Sequence, residues 1–215
     1  MAIDYWFNDE DHTIDSLYEL IKLENYNNII NIDCSDCNLK ELPKLPNSLI
    51  ELYCSNNQFK LLPKLPTNLI ELYCNNNFLK ELPEIPDSVE YLNCENNLLT
   101  VIPKLPTNLE AFYCSNNMLK LLPKLPNSLE EFECSNNQLI IFPKLPPKFQ
   151  DSIHNMFNNP VYYYIQNKYA GNLEIYYKVN QTFANKIGEW FLECKYNPKY
   201  KYCRDRVDKE YDKLF

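Results

Sequence analysis

The sequence predicts a solenoid of short repeats, with a parallel sheet on its concave side and extended, polyproline-like segments on its convex side. Three observations predict it. Cysteines recur at intervals of 20 residues, leucines and asparagines recur in phase with them, and a pair of prolines closes most repeats. The chain has 215 residues, of which 45% are hydrophobic, so it is long and apolar enough to bury such a core. The phased cysteines are Cys34, Cys54, Cys74, Cys94, Cys114 and Cys134.

One repeat shows how each position is expected to act. Leu52 and Cys54 lie two residues apart, so they face the same side of a short strand, toward the core, where the thiol acts as a small hydrophobic group. Asn57 follows where the chain leaves the strand, and its amide can satisfy backbone groups of neighbouring coils. Pro63 and Pro66 force an extended return segment rather than a helix. A buried asparagine ladder is therefore predicted through Asn57, Asn77, Asn97, Asn117 and Asn137, with Cys37 replacing asparagine in the first coil.

Three regions are predicted. Residues 1–28 contain hydrophobic residues at helical spacing between positions 13 and 24, which predicts a helical N-terminal cap. Residues 29–149 form six 20-residue coils. Residues 150–215 are predicted to form a helical C-terminal region, since His154 stands where the next cysteine is due and Asn159-Pro160 can open a helix to about Tyr169 that stops near Gly171. Two further helices are predicted over about 173–195 and from 197 onward.

Outward-facing strand positions are the candidate binding site. Between the core positions lie three columns that hold six acids and four tyrosines but no lysine or arginine, whereas lysines recur in columns toward the rim and the convex back. An acidic surface with rigid aromatic groups suits a basic protein partner. The predicted partner-binding residues are Asp33, Glu51, Tyr53, Glu71, Tyr73, Tyr91, Glu95, Tyr113, Glu131 and Glu133.

Composition argues against several other functions. The chain has only 2 Gly and 2 His, which leaves no glycine-rich phosphate loop and no common zinc pattern, so no cofactor and no metal are expected. A net charge of −8 disfavours a generally basic nucleic-acid binder. The pair Cys34 and Cys37 is interpreted as one core residue and one ladder residue rather than a redox or metal pair. The prediction is thus a protein that is not an enzyme.

No secretory leader and no run of 18 apolar residues is visible, so the protein is expected to be soluble and intracellular, without a membrane partner. Neither the partner's identity nor the oligomeric state follows from the sequence.

The 20-residue period is typical of leucine-rich repeats at the short end of their length range. Over residues 29–149 the pattern resembles the leucine-rich-repeat effectors of enteric bacterial pathogens. Some of these effectors carry a ubiquitin-ligase domain with a Cys-x-Asp motif, which Cys203-Arg204-Asp205 matches locally. That resemblance implies an alternative, a ligase-like effector with Cys203 as nucleophile. The region after the repeats is far shorter than such a catalytic domain.

The whole chain also resembles leucine-rich-repeat proteins of giant amoeba-infecting viruses, the mimivirus relatives. The segment 190–204, WFLECKYNPKYKYCR, is similar to a closing segment in proteins of those viruses. The resemblance implies a repeat protein that acts in the cytoplasm of the infected host cell or is carried in the particle, and it implies no particular activity. A host protein is then the expected partner, and a structural component of the virion is a further alternative.

Overall fold

The computed structural model describes residues 3–7, 10–14, 16–146, 149 and 153–179. In that part of the chain the strands join one sheet in the order β2-β1-β3-β4-β5-β6-β7-β8. The helices before residue 172 are α1 (Leu17–Leu20) and α2 (Pro160–Tyr169), with short 3₁₀ turns at Tyr26–Asn28 and Ile153–Met156. The strands are β1 (Ile3–Phe7), β2 (Glu10–Ile14), β3 (Asn31–Asp33), β4 (Glu51–Tyr53), β5 (Glu71–Tyr73), β6 (Tyr91–Asn93), β7 (Ala111–Tyr113) and β8 (Glu131–Glu133).

Strands β3 to β8 are the parallel sheet that the 20-residue period predicts. Each strand pairs with the next at an offset of 20 residues, so that Leu52 lies beside Leu72 and Leu72 beside Leu92. The middle residue of each three-residue strand is buried, and in most strands its two neighbours are half-exposed. Each strand is short because the chain turns soon after the cysteine, at an asparagine or aspartate with positive φ, such as Asn96 at 53°. Asparagine tolerates this left-handed conformation better than most residues.

The predicted asparagine ladder is present, and Asn97 shows its geometry. Its Nδ2 donates to the carbonyl oxygens of Cys74, Cys94 and Glu95 at 3.0, 3.2 and 3.1 Å. Its Oδ1 accepts a hydrogen bond from the backbone N–H of Leu79 at 3.0 Å. One side chain therefore satisfies backbone groups of two successive coils, which fixes their spacing.

The cysteines align in one buried column, as predicted. Cys54, Cys74 and Cys94 are fully buried, and all seven cysteines within the described residues are free thiols. Burial, which disfavours the thiolate, raises the pKa of Cys74 to about 12. Cys37 is buried at the ladder position and its Sγ contacts the carbonyl oxygen of Ser35 at 3.2 Å. Cys34 and Cys37 are therefore packing residues and form no disulfide.

The prediction of an amphipathic helix over residues 13–24 is wrong, because the N-terminal cap is mainly a β-hairpin. Strands β1 and β2 form an antiparallel hairpin, and β1 also pairs antiparallel with β3. Among the described residues before β3, the only α-helix is the single turn α1, where Leu20 is fully buried. The first parallel strand would otherwise expose a row of backbone N–H and C=O groups, and a strand satisfies them where a helix cannot.

At the other end, the ladder continues beyond the six predicted coils. Asn159 is fully buried, and its Nδ2 donates to the carbonyl oxygens of Cys134 and Met156, both at 2.9 Å. Met156 occupies the place of the core cysteine, so Met156-x-x-Asn159 repeats the Cys-x-x-Asn pattern at a spacing of 22 rather than 20. The two extra residues put this coil out of phase with the earlier ones, which is why a fixed period overlooks it.

Helix α2 confirms the helix predicted over 160–169. It begins with Pro160 and ends at Tyr169, and the two residues that follow, Ala170 and Gly171, have positive φ. The Asn159 side chain makes no capping hydrogen bond, since it is held in the ladder.

The chain divides into two compact units, residues 1–171 and 172–215. In the second unit, residues 173–179 are helical. The rest of the predicted second helix, the last helix and Cys203 lie outside the described residues. No helix within the described segments is long and apolar enough to cross a membrane.

Candidate functional site

The structure places all ten predicted binding residues on one face of the sheet. This face, called the sheet face below, consists of the outward side chains of β3–β8 and of the residue two positions after each strand. One column runs through Asp33, Tyr53, Tyr73, Asn93, Tyr113 and Glu133. The next column runs through Asn31, Glu51, Glu71, Tyr91, Ala111 and Glu131. Glu95 belongs to the third column, with Ser55 and Ser115.

Three of the four tyrosines donate a hydrogen bond to a carboxylate of the following coil. The Tyr53 hydroxyl donates to Glu71 Oε2 at 2.7 Å, and the Tyr113 hydroxyl donates to Glu131. The Tyr91 hydroxyl donates to Glu110 Oε2 at 2.9 Å. These bonds tie successive coils together on the sheet face and hold the aromatic rings in fixed positions.

The surroundings of Tyr53 and Tyr91 raise the pKa of both phenols above the ordinary value of tyrosine, which is already well above physiological pH. Burial and the hydrogen bond to Glu71 raise the pKa of Tyr53, and the hydrogen bond to Glu110 raises the pKa of Tyr91. A phenolate beside a carboxylate would be repelled, so the protonated phenol is favoured. The negative charge of the sheet face therefore comes from its carboxylates alone.

Tyr73 departs from this arrangement. Its ring stacks on Tyr53, with centroids 5.1 Å apart and planes at 23°. In the next coil the position equivalent to Glu71 is Tyr91, so no carboxylate stands where the Tyr73 hydroxyl would reach it. Among the residues that the structure describes, this hydroxyl has no hydrogen-bond partner.

Glu95 lies at the centre of the sheet face in an environment that disfavours its charge. Partial burial raises the pKa of its carboxyl, the charge of Glu133 raises it further, and the hydroxyl of Ser115 partly offsets both. The lysine columns lie elsewhere, on the segments that follow each strand, where they are exposed. They comprise Lys40, Lys60, Lys80 and Lys120, and Lys44, Lys64, Lys104, Lys124 and Lys144.

Glu95→Gln is expected to stabilise the protein at neutral pH. Folding raises the pKa of Glu95, so the penalty on its charged form is absent below the unfolded value near 4.5 and grows as pH rises through the folded-state pKa. The melting temperature should rise by about one or two degrees at pH 7 and stay unchanged at pH 4. Thermal unfolding at both pH values measures this. Glu81→Gln, at an exposed position away from the sheet face, is the control, and an equal effect of both variants would contradict the explanation.

The sequence pattern did not identify one contributor to this surface. Glu110 precedes β7, so it was not counted among the outward strand positions, yet it accepts the Tyr91 hydrogen bond. The recurrence of glutamate at 90, 110 and 130 was the available signal. Asn93 interrupts the tyrosine column, and its Oδ1 accepts the backbone N–H of Glu95 at 3.1 Å. Within the described part of the chain, no group of three or more His, Cys, Asp or Glu is arranged to hold a metal ion.

A parallel sheet built from 20-residue coils, with a buried asparagine ladder and extended return segments, defines a leucine-rich-repeat protein. Solved structures of the same class are similar to it. YopM, a leucine-rich effector protein from Yersinia pestis, is 40% identical over 54% of this chain and 33% of that chain, with a TM-score of 0.52. A Shigella effector leucine-rich-repeat domain is 35% identical over 61% of this chain and 58% of that chain, with a TM-score of 0.55.

YopM from Yersinia enterocolitica WA-314 is 34% identical over 56% of this chain and 25% of that chain, with a TM-score of 0.50. This chain therefore matches between a quarter and somewhat more than half the length of these structures. No protein-family model matches the chain, and no curated protein sequence matches it either.

Proposed function

We propose that the chain is a non-enzymatic interaction module that binds a basic protein partner on the sheet face. One observation carries this proposal. Four tyrosines and six acids share a face that has no lysine or arginine in its three columns, whereas the lysines lie on the following segments. Complementary charge steers a basic partner to such a face, and tyrosine rings supply contact area.

The hydrogen bonds on the sheet face support binding because they order it in advance. Tyr53 is held by Glu71 and by stacking on Tyr73, so neither ring has to be ordered when a partner arrives. Immobilising a flexible side chain costs about 0.5–1.5 kcal/mol on association. A preformed aromatic surface avoids much of that cost, and the half-buried charge of Glu95 adds attraction for a cation.

We further propose that the partner is a host-cell protein met in the cytoplasm. The similar solved structures are of bacterial effectors, and the sequence resembles repeat proteins of giant viruses of amoebae. The likeness to bacterial effectors supports action on a host, and the sequence resemblance to viral repeat proteins fits the same proposal.

The double variant Tyr53→Ala with Tyr73→Ala tests the binding surface. We expect it to weaken binding of a protein captured from amoebal lysate by at least about 30-fold, since buried aromatic anchors dominate interface energies. Affinity should be measured by calorimetry with the purified partner, and it should fall as salt rises from low to physiological ionic strength.

A matched control is Tyr163→Ala with Tyr164→Ala. Both tyrosines lie on α2, away from the sheet face, and their side chains are exposed, at 46% and 45%. Unchanged affinity in the sheet-face variant, or equal loss in the control, would show that the partner binds elsewhere.

A further inference from the structure

The tyrosine column of the sheet face has a gap in its middle. Asn93 lies between Tyr73 and Tyr113. In the parallel register it is the partner of Tyr73 on one side and of Tyr113 on the other. Adjacent parallel strands are about 4.8 Å apart, so the two tyrosines are attached about 10 Å from each other. Since Tyr53 covers one face of the Tyr73 ring, the opposite face of that ring is directed along the column toward Asn93.

Two of the side-chain groups around the gap have no hydrogen-bond partner among the described residues. The Tyr73 hydroxyl donates to no described residue, in contrast to the hydroxyls of Tyr53, Tyr91 and Tyr113. Asn93 Oδ1 is bonded to the Glu95 backbone, while its Nδ2 has no partner in the same part of the chain. The Glu95 carboxylate lies two residues further on, is partly buried and accepts a hydrogen bond from the Ser115 hydroxyl.

We propose that this gap, bounded by Tyr73, Asn93, Tyr113 and Glu95, binds the guanidinium of an arginine side chain from the partner. The inference rests on the proposed function and names the anchor by which the basic partner is recognised. A cation centred in the gap would lie about 5 Å from each ring, within the roughly 6 Å reach of cation–π attraction. Glu95 supplies the opposite charge at the end of the gap.

Arginine fits the gap better than lysine. Its planar guanidinium stacks on an aromatic face and presents a fork of N–H donors that matches a carboxylate, whereas an ammonium is a strongly hydrated point charge. The guanidinium can donate to Glu95 and to the Tyr73 hydroxyl oxygen. The Asn93 Nδ2 is then available to donate to a backbone carbonyl of the partner.

Two fluorescent hexapeptides, hexa-arginine and hexa-lysine, test the proposal by anisotropy titration of the intact chain. We expect hexa-arginine to bind at least about 5-fold more tightly. Asn93→Tyr fills the gap and should weaken hexa-arginine binding about 10-fold while changing hexa-lysine binding less than about 2-fold. Asn108→Tyr, at an exposed position away from the sheet face, is the matched control, and thermal unfolding verifies that both variants fold.

The outcomes separate this inference from the proposed function. Equal binding of both peptides, unaffected by Asn93→Tyr but weakened by Tyr53→Ala outside the gap, would overturn the arginine anchor and leave the acidic sheet face as the binding surface. Absence of binding by both peptides would overturn the anchor and the basic partner together. A loss of the preference for hexa-arginine in Asn93→Tyr, with the preference kept in Asn108→Tyr, supports the anchor.

Discussion

Asn97→Ala should lower the free energy of unfolding by about 3–5 kcal/mol. Asn97 is buried and makes four hydrogen bonds to backbone groups of two coils. Alanine would leave the buried Leu79 N–H without a partner, in a place that water does not readily reach. It would also remove one of the two hydrogen bonds that each of the three carbonyl oxygens accepts, since Asn77, Asn117 and the Asn76 N–H supply the other. A buried N–H left unsatisfied costs about 1–3 kcal/mol, and each of the other three hydrogen bonds lost costs about 0.5–1.5 kcal/mol. Chemical denaturation followed by circular dichroism measures the change.

The neighbouring residue provides the control. Asn96 is exposed and adopts a left-handed conformation that glycine accepts readily, so Asn96→Gly should change stability by less than about 1 kcal/mol. Hydrogen exchange should show that Asn97→Ala opens the coils around β5 and β6 first, because each coil of a solenoid contacts chiefly its neighbours. Similar losses in the two variants would contradict the ladder explanation.

The part of the fold that follows from periodicity could be predicted from the sequence. Leu52, Cys54 and Asn57 recur at identical spacing, and a residue 20 positions further along must occupy the equivalent place in the next coil. The register of the parallel sheet, the buried thiol column and the ladder all follow from this one rule. Aligning equivalent positions of successive coils then placed acids and tyrosines on one face and lysines on the following segments.

The ends of the array could not be predicted in the same way, because there the chain meets a different physical problem. The first strand has an unpaired edge, which the hairpin of β1 and β2 covers by pairing across it. Strand pairing of this kind depends on tertiary contacts. The helical spacing of Ile14, Leu17, Leu20 and Ile21 predicted a longer helix, but Ile14 belongs to β2 and α1 spans only Leu17–Leu20. At the other end, Asn159 closes the ladder after a two-residue insertion that shifts the phase.

On the candidate site, the sequence predicts which residues share a face but not how they bond to one another. The recurring glutamates mark Glu110 as a candidate, but the pattern does not show that Tyr91 donates to it or that Tyr73 is left without such a bond. These differences depend on which residue occupies the facing position of the next coil. The gap at Asn93 is visible in the sequence only once the columns are aligned.

Phe112→Ala should cost about 3–5 kcal/mol, comparable to the loss of a ladder asparagine. Phe112 is fully buried beneath the sheet face, and its ring stacks on Phe132 with centroids 5.9 Å apart. Phe132 in turn contacts Phe149 edge to face at 6.1 Å. Truncating the first ring would leave a cavity at the start of this aromatic row, which packed neighbours can only partly fill.

Phe112→Leu isolates the contribution of packing shape from that of burial. Leucine fills the equivalent position in the three preceding coils, as Leu52, Leu72 and Leu92, so this variant should lose only about 1 kcal/mol. Phe78→Ala removes the same side chain from a position that is 49% exposed and should have little effect. Denaturant unfolding should show the largest loss of stability for Phe112→Ala, a smaller loss for Phe112→Leu and the smallest for Phe78→Ala. If Phe112→Ala lowered the free energy of unfolding no more than Phe78→Ala, the core beneath Tyr91 and Tyr113 would not be what holds the sheet face in place.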